Sequence, residues 1–292
     1  MREGTAVGRG WTGAGGRPHA EAAALAMAGD RARGADVYVT LEPCAHRSQR
    51  GPACADLLVT ARPARVIAAV QDPDPRTAGS GLARLREAGI AAGLVPCAEA
   101  ADSLAGYLTR AMFGRPFVTL KLAMSLDGCI ALADGSSCWI TGPQARAHVH
   151  ARRARADAIL VGGGTWRSDS PRLDVRVAGL EDRAPERWVL TRQPIDGVRT
   201  IAGPAEIARM EGVQHLYLEG GAQAAAAFLA ADLVDRLELY RAPILIGDGL
   251  RAIGGLGLTD LAAAHGRWHL TEQAQLGSDT FAAYRRMREG GA

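Results

Sequence analysis

Three residues near the start of the chain have the types and spacing of a catalytic zinc site: His19, Cys44 and Cys54. One imidazole and two thiolates supply three protein ligands to a tetrahedral Zn²⁺ and leave the fourth position to water. An open position indicates chemistry rather than a purely structural role, because zinc lowers the pKa of its water to about 7. The set therefore predicts a hydrolytic metal site.

The chain also offers a proton carrier for such a site. Glu21 follows His19 by two residues, so its carboxyl can lie beside the metal and move a proton from water to a leaving amine. The order His-x-Glu, Pro-Cys, Cys matches the zinc-deaminase signature, except that nine residues rather than two separate the cysteines. The residues predict a deaminase, with a structural zinc site or a pair of buried thiols as the alternatives.

Local patterns indicate which elements position these side chains. We predict a helix over residues 19–28, ended by Gly29, an apolar strand over 37–41 leading to Cys44, and a helix over 53–60 with Cys54 at its start. Two helix N-termini would then face one metal. Their partial positive charge favours thiolates over thiols.

The remaining pattern alternates strands and helices, which is typical of an α/β fold. After a strand fragment at 5–10, the first half continues with a strand at 65–70, a helix at 81–88 and a linker helix around 101–108. Gly114-Arg115-Pro116 marks a boundary, and we expect two domains, 1–113 and 114–292. Further predictions are strands at 117–122, 157–161, 188–190 and 215–218, helices at 143–155 and 222–231, and a closing antiparallel pair from 233–242 and 267–286.

Composition narrows the class of protein. The 292 residues are 48% hydrophobic with a net charge of +3 spread along the chain, which argues against a nucleic-acid partner. The absence of a long apolar run or a signal peptide predicts a cytoplasmic protein without a membrane partner, and a homo-oligomer is compatible with the sequence. Cys97, Cys129 and Cys138 are expected to be small buried apolar residues in a reducing compartment.

The second half carries signals for a phosphorylated cofactor. Gly220-Gly221 follows a strand and precedes a helix, a place where backbone amides can meet a phosphate. Neither this pair nor the Gly162-Gly163-Gly164 run, which is more often a loop, matches the dinucleotide fingerprint Gly-x-Gly-x-x-Gly. Thr191 and Arg192 end another strand, and Arg192 would bind the 2′-phosphate of NADPH or remain a solvated surface arginine. Lys121 is the only lysine in the chain, which makes it a site candidate.

Taken together, these motifs resemble one family, the bifunctional riboflavin-biosynthesis deaminase/reductase. The resemblance extends over nearly the whole chain. The matching segments are residues 18–21, 38–46, Cys54 and 72–81 in the first half, and 121–128, 139–141, 157–162, 165–176 and 219–221 in the second. The resemblance implies a cytidine-deaminase-like α/β/α sandwich followed by a dihydrofolate-reductase-like α/β domain, with Zn²⁺ and NADPH as cofactors.

The resemblance also implies reactions and residue roles. The first domain would deaminate 2,5-diamino-6-ribosylamino-4(3H)-pyrimidinone 5′-phosphate, and the second would reduce the ribosyl group of the uracil product with NADPH. Glu21 would be catalytic, and Lys121 would lie near the reacting ribose. The other implied contacts are Ala123, Trp139, Thr165, Asp169 and Gly221 with NADPH, and Ser137, Arg153, Leu173, Arg176 and Glu219 with substrate.

Two departures from the family pattern define the alternatives. The family normally carries a leading helix and a strand with an Asn-Pro motif, and this chain starts after both, so we expect either a start assigned too late or weakened deamination. The loop between the cysteines is one residue longer than usual, and Arg47 or Arg50 is expected to contact the substrate phosphate. The alternatives are a reductase with a zinc-binding but inactive first domain and, less favoured, a nucleic-acid deaminase.

Overall fold

A computed structural model describes residues 1–46, 48–49, 51–137 and 139–288 of the chain. It divides into two compact units, Met1–Phe113 and Gly114–Ala292. Gly114 has a φ of +68°, which glycine adopts readily, and it turns the chain between the units. Arg47 and Arg50, expected to contact phosphate, and Cys138 lie outside the described residues.

The first unit is an α/β layer around three parallel strands in the order β1-β2-β3. Its elements are α1 (Ala20–Ala28), β1 (Asp36–Leu41), α2 (Cys54–Ala61), β2 (Arg65–Val70), α3 (Ser80–Glu87), β3 (Ala91–Leu94), α4 (Ala98–Ser103) and α5 (Ala105–Phe113). Alternate residues of β2, Val66 and Ala68, pack against Leu58 of α2 and Leu82 and Leu85 of α3. This core fixes the starts of α2 and α3 relative to the sheet.

The strand fragment predicted at residues 5–10 is wrong. The described residues there form only an isolated bridge between Arg2 and Thr5. A Cβ on Gly8 would lie 2.2 Å from the carbonyl oxygen of Ala24, and one on Gly10 would lie 2.2 Å from that of Ala20. The glycines therefore let this segment pack its backbone directly on α1, and the segment follows the helix instead of pairing with a strand.

The second unit is built on a sheet of eight strands in the order β12-β13-β10-β4-β9-β6-β7-β8. Its elements are β4 (Phe117–Met124), β5 (Cys129–Ala131), α6 (Pro143–Arg153), β6 (Ala158–Gly162), α7 (Gly163–Asp169), β7 (Glu186–Leu190), β8 (Arg199–Ile201), β9 (His215–Leu218), α8 (Ala222–Ala230), β10 (Arg236–Arg241), β11 (Leu250–Arg251), β12 (Trp268–Leu276) and β13 (Asp279–Arg286). The strands from β10 to β8 are parallel, whereas β13 and β12 join in antiparallel pairs. Strands β5 and β11 form a separate two-stranded sheet.

Strand β6, in the middle of the parallel part of the sheet, is apolar along its length because both faces of the sheet are covered there. On one face Leu160 and Leu218 pack against Phe228 of α8. On the other, Ile159 and Tyr217 belong to a cluster with residues of α6. The carboxyl ends of the central strands therefore meet at one edge of a rigid sheet, where open α/β folds place their ligands.

Two expectations for the second unit need correction. Residues 267–286 form two strands rather than one, because Gly277, with a φ of +68°, turns the chain between β12 and β13. The glycine run at 162–164 is not a loop, since Gly163 and Gly164 begin helix α7. Across the described ranges, no helix is both long enough and apolar enough to span a bilayer.

Candidate active sites

The first unit brings His19, Cys44 and Cys54 together, with one ligand atom of each lying within 4.8 Å of the others. The Nδ1 atom of His19 is 3.6 Å from Sγ of Cys44 and 3.3 Å from Sγ of Cys54. Zinc–sulfur bonds of about 2.3 Å and zinc–nitrogen bonds of about 2.0 Å in a tetrahedron require nitrogen–sulfur separations of about 3.5 Å. The three side chains therefore fit one zinc ion.

The local sequence places each ligand where a helix or strand ends. His19 is the extended residue before α1, and Cys54 is the first residue of α2. Cys44 follows β1, and its sulfur accepts a hydrogen bond from the backbone N–H of Cys54 at 3.2 Å. The backbone N–H of Ala55 donates to the carbonyl of Cys44 at 3.2 Å. These contacts hold Cys44 and Cys54 next to each other as the two-thiol half of the site, and His19 supplies the third ligand from a separate segment.

Glu21 lies in the first turn of α1, two residues after His19, and its carboxyl interacts electrostatically with the ligands His19, Cys44 and Cys54. Burial raises the pKa of the Glu21 carboxyl by disfavouring its charged form. A hydrogen bond with Cys54 lowers the pKa of Cys44, while the same contact raises that of Cys54. The site thus combines one readily ionised thiol with a carboxyl suited to proton transfer.

A buried carboxylate next to the site, Glu42, holds the loop between β2 and α3. It is 2% exposed and accepts backbone hydrogen bonds from Gly79 at 2.9 Å and Leu82 at 3.1 Å. A Cβ on Gly81 would lie 2.0 Å from the carbonyl oxygen of Pro43, so only glycine permits this approach. Glu42 thereby ties the start of α3 to the segment that carries Cys44.

The same loop contributes further contacts around the segment after Cys44. Thr77 is fully buried, and its hydroxyl lies 3.4 Å from the backbone nitrogen of Ala45 and from Nδ1 of His46. Asp72 is 5% exposed and accepts a hydrogen bond of 2.7 Å from the hydroxyl of Tyr107. Thr77 and Asp72 thus connect the loop between β2 and α3 to the segment after Cys44 and to Tyr107 of α5.

The second unit holds a separate cluster of charges where Lys121, within β4, lies close to Glu219, which directly follows β9. Glu219 accepts hydrogen bonds from Arg153 at 2.5 and 2.9 Å and lies 3.5 Å from Nζ of Lys121. All three side chains are at most 17% exposed. Burial alone would raise the pKa of Glu219, but Lys121 and Arg153 outweigh it and lower this pKa to about 2. The carboxylate is therefore fixed as an anion between two cations.

Residues after α7 approach this cluster through the backbone of Asp174. Its carbonyl oxygen accepts a hydrogen bond from Arg153 at 3.0 Å and lies 3.1 Å from Nδ1 of His150. Arg176 forms an ion pair of 3.2 Å with the Asp174 carboxylate, and its side chain is 55% exposed. Leu173, by contrast, is buried in the apolar cluster beneath α6. The structure therefore brings Arg176 near the cluster and directs Leu173 into the core.

Glycines align three strand ends near this edge of the sheet. A Cβ on Gly221 would lie 3.4 Å from the hydroxyl of Thr165, and one on Gly163 would lie 3.2 Å from Cβ of Thr191. The side chains of Thr165 and Thr191 thus border backbone that carries no side chain, a cradle that suits the close approach of a phosphorylated cofactor. Thr165, Thr191 and Gly221, predicted from the sequence to contact NADPH, therefore lie at this edge of the sheet.

The remaining predicted contacts are less tightly grouped. Ala123 is on β4 and pairs with Tyr240 of β10. Trp139 is 71% exposed and lies under the guanidinium of Arg146 at 4.8 Å. Within the part of the chain that the structure describes, no hydrogen bond or ion pair joins the Lys121 cluster to the exposed or half-exposed residues Ser137, Trp139, Asp169 and Arg192.

Sequence reasoning missed a buried polar network beneath the same face of the sheet. The hydroxyl of Tyr217 donates to Glu238 at 2.9 Å, and Arg152 lies 3.5 Å from the Glu238 carboxylate and 2.5 Å from that of Glu272. Tyr217 and Glu238 are at most 3% exposed, and both occur in strands. A charged residue among the apolar residues of a strand was the signal that could have indicated this network.

The burial predicted for Cys97 is wrong. Cys97 is exposed and contacts Glu99 at 3.2 Å, because it lies in the turn before α4 rather than in a strand.

The fold and the two clusters define a class of protein: a zinc-site deaminase unit followed by a reductase unit. Residues 2–70 match the family model described as the cytidine and deoxycytidylate deaminase zinc-binding region, and residues 116–198 and 205–282 match the RibD C-terminal domain. The chain belongs to the RibD family of riboflavin biosynthesis proteins. The predicted family and the predicted fold class are thereby confirmed.

Curated relatives and solved structures agree on this assignment. The chain is 38% identical to the riboflavin biosynthesis protein RibD of Haemophilus influenzae, with 97% of this chain and 89% of that protein covered. It is 40% identical to RibD of Mycobacterium tuberculosis over 94% of this chain and 86% of that protein. Acinetobacter baumannii RibD, form 1, superposes with a TM-score of 0.84 at 32% identity over 97% of this chain and 89% of that structure. A diaminohydroxyphosphoribosylaminopyrimidine deaminase/5-amino-6-(5-phosphoribosylamino)uracil reductase from Thermotoga maritima gives 0.80 at 28% identity over 93% and 86%.

Proposed function

We propose that this chain catalyses two consecutive steps of riboflavin biosynthesis. The first unit deaminates 2,5-diamino-6-ribosylamino-4(3H)-pyrimidinone 5′-phosphate, and the second reduces 5-amino-6-(5-phosphoribosylamino)uracil to the ribitylamino product with NADPH. The observation that carries the proposal is the convergence of His19, Cys44 and Cys54 beside Glu21. Family membership supplies the substrates.

In the first unit, His19, Cys44 and Cys54 would hold zinc, a Lewis acid that would lower the pKa of a water molecule at the site. Hydrolytic deamination forms a carbon–oxygen bond at the ring carbon, breaks its bond to the amino nitrogen and releases ammonia. Glu21 takes the proton from the attacking water and gives it to the leaving nitrogen. A raised pKa makes the Glu21 carboxylate a better base toward the attacking water, and the carboxyl protonated in that step then donates to the leaving nitrogen.

In the second unit, NADPH supplies the hydride, and the chain's own residues bind and orient the substrate. Glu219 holds the Lys121 ammonium and the Arg153 guanidinium in fixed positions at the end of the sheet. Lys121 faces the ribose in this proposal, while Arg153 and Arg176 bind anionic or polar groups of the substrate. We propose that NADPH contacts are made by Ala123, Trp139, Thr165, Asp169, Thr191, Arg192 and Gly221, and that Ser137 contacts substrate. Leu173, predicted to contact substrate, instead belongs to the apolar core cluster.

A reducing, cytoplasmic setting belongs to the proposal, because zinc binds the two cysteines only as free thiolates. The substrate is a small phosphorylated pyrimidine. Family membership disfavours the nucleic-acid deaminase considered from the sequence.

One experiment separates the two-step enzyme from a reductase with an inactive first unit. The purified chain is analysed for zinc and incubated with the diaminopyrimidine phosphate, with and without NADPH. We expect about one zinc per chain, ammonia release without NADPH, and ribitylamino product only when NADPH is added. NADPH oxidation on the uracil substrate without ammonia release from the pyrimidine would leave only the reductase.

A further inference from the structure

The zinc ligands come from two chain segments that must be held together. Cys44 and Cys54 are joined directly, through the Cys54 N–H to the Cys44 sulfur and the Ala55 N–H to the Cys44 carbonyl. His19 arrives separately, at the end of the segment before α1. The geometry of the site therefore depends on what fixes His19 relative to the two-thiol half.

Arg17 makes a contact between those segments. Its Nη1 donates a hydrogen bond to the carbonyl oxygen of Pro52 at 3.0 Å. Arg17 precedes His19 by two residues, and Pro52 precedes Cys54 by two residues. The bond thus joins equivalent positions just upstream of one ligand in each half.

The acceptor carbonyl of Pro52 directly follows a closed turn. Gly51 lies next to this guanidinium, and its φ of +142° is a backbone conformation that glycine adopts far more readily than other residues. Gly51 and Ser48 exchange backbone hydrogen bonds of 3.1 and 3.3 Å, which closes the turn before Pro52. Proline then restricts the backbone that presents the acceptor carbonyl.

The donor residue, Arg17, also lies in a closed loop. The N–H of Gly13 donates to the carbonyl of Pro18 at 2.8 Å, which closes the loop that contains Arg17. Arg17, Pro18, His19 and Pro52 also line one end of a cavity of about 430 Å³ between α1 and α2. The arginine therefore connects two closed turns next to a metal ligand.

We propose that Arg17 is a positioning residue that fixes His19 against the two-thiol half of the zinc site. It does not touch the metal; its bond to Pro52 limits the positions of His19 before zinc binds, so less ordering accompanies binding. The inference rests on the zinc site of the proposed function. A single hydrogen bond of this kind changes an equilibrium about threefold to tenfold.

The test measures zinc affinity in the full chain by competition with a chelating dye. We expect Arg17→Met to bind zinc about threefold to tenfold more weakly than the parent. Arg17→Lys should recover much of the affinity, because an ammonium can still donate to the Pro52 carbonyl. Arg33→Met, which removes the same charge from an exposed site of the same unit, is the matched control and should bind like the parent. NADPH oxidation on the uracil substrate should be equal in all four proteins, and a parent-like circular-dichroism spectrum and urea-unfolding curve report that the first unit of each is folded.

The outcomes distinguish failure of the positioning role of Arg17 from failure of the zinc site itself. Parent-like zinc affinity in Arg17→Met overturns the positioning role, whatever the variant does to stability. Equal weakening in Arg17→Met and Arg33→Met overturns it as well, because loss of positive charge would then be the cause. A parent protein that binds no zinc would instead remove the site itself and the deaminase function with it.

Discussion

The protein around Glu21 changes the acid–base chemistry of its carboxyl group. The first turn of α1 carries it into a desolvated position beside Cys54, where burial raises its pKa. Burial makes the carboxylate of Glu21 a stronger base than that of an exposed glutamate at the same spacing. Its type and spacing were predictable from the sequence, whereas the pKa shift arises from the packing around it.

Replacing Glu21 tests its catalytic role directly. We expect Glu21→Gln to lower the rate of ammonia release by about 10²- to 10⁴-fold, because glutamine keeps the shape but cannot carry the proton. Zinc content should remain that of the parent, since Glu21 is not a ligand. Glu87→Gln, an exposed site in the same unit, is the control. Ammonia release at the parent rate would contradict the assignment.

Glu219 gives a second residue-scale prediction, which concerns pH. Its pKa falls from 4.5 to about 2 in the folded protein, so its ionised form stabilises the fold by roughly 3 kcal/mol above pH 4.5. This contribution is lost as the pH falls from about 4.5 toward 2, because the folded-state pKa is the lower one. In urea unfolding, Glu219→Gln should therefore differ most from the parent near neutral pH.

The control for that measurement is Glu211→Gln, an exposed glutamate of the same unit. Its unfolding free energy should follow that of the parent at every pH. A Glu219→Gln protein as stable as the parent at pH 7 would show that the pairing with Lys121 and Arg153 adds no net stability.

At the scale of elements, Glu42 holds α3 and the loop before it on the segment that carries Cys44, and we call these hydrogen bonds the Glu42 clamp. The helix itself was predictable from its period and from Gly89 after it. The clamp was not, because Glu42 receives amide hydrogen bonds from residues 37 and 40 positions later in the chain. No local pattern encodes contacts over that separation.

Gly81→Ala tests the close approach of α3 to the backbone of Pro43 that accompanies the Glu42 clamp. Alanine favours a helix over glycine by about 1 kcal/mol, but its Cβ would lie 2.0 Å from a backbone oxygen that cannot rotate away. We expect the clash to prevail and the net effect to be a loss of about 1–3 kcal/mol in unfolding free energy. Gly93→Ala, which has open space around it, is the control and should not be destabilised by a clash. A more stable Gly81→Ala protein would show that α3 can move away from Pro43 at little cost.

At the scale of the whole molecule, the two chemistries depend on separate sets of residues. The zinc ligands lie between positions 19 and 54, whereas Lys121, Arg153 and Glu219 lie in the second unit, which begins at Gly114. Each unit has its own sheet and its own apolar core. Loss of the metal should therefore affect one activity only.

Chelation provides the corresponding prediction. Removing zinc with a strong chelator should abolish ammonia release and leave NADPH oxidation on the uracil substrate at the parent rate. Added Zn²⁺ should restore deamination, whereas Mg²⁺ should not, because it prefers oxygen ligands to thiolates. Parallel loss of both activities on chelation would show that the second unit depends on the metal.

The sequence alone predicted the grouping of His19, Cys44 and Cys54, the place of Glu21 beside them, the α/β class and most strands, because these follow from residue types, short spacings and local hydrophobic periods. Only the tertiary structure decided that residues 5–10 pack on α1, that Glu42 anchors the start of α3, and that Arg17 meets Pro52. It also decided that Tyr217 and Glu238 form a buried pair between strands. These features depend on contacts between distant parts of the chain, and the free energy of such contacts is set by packing and desolvation after the elements come together.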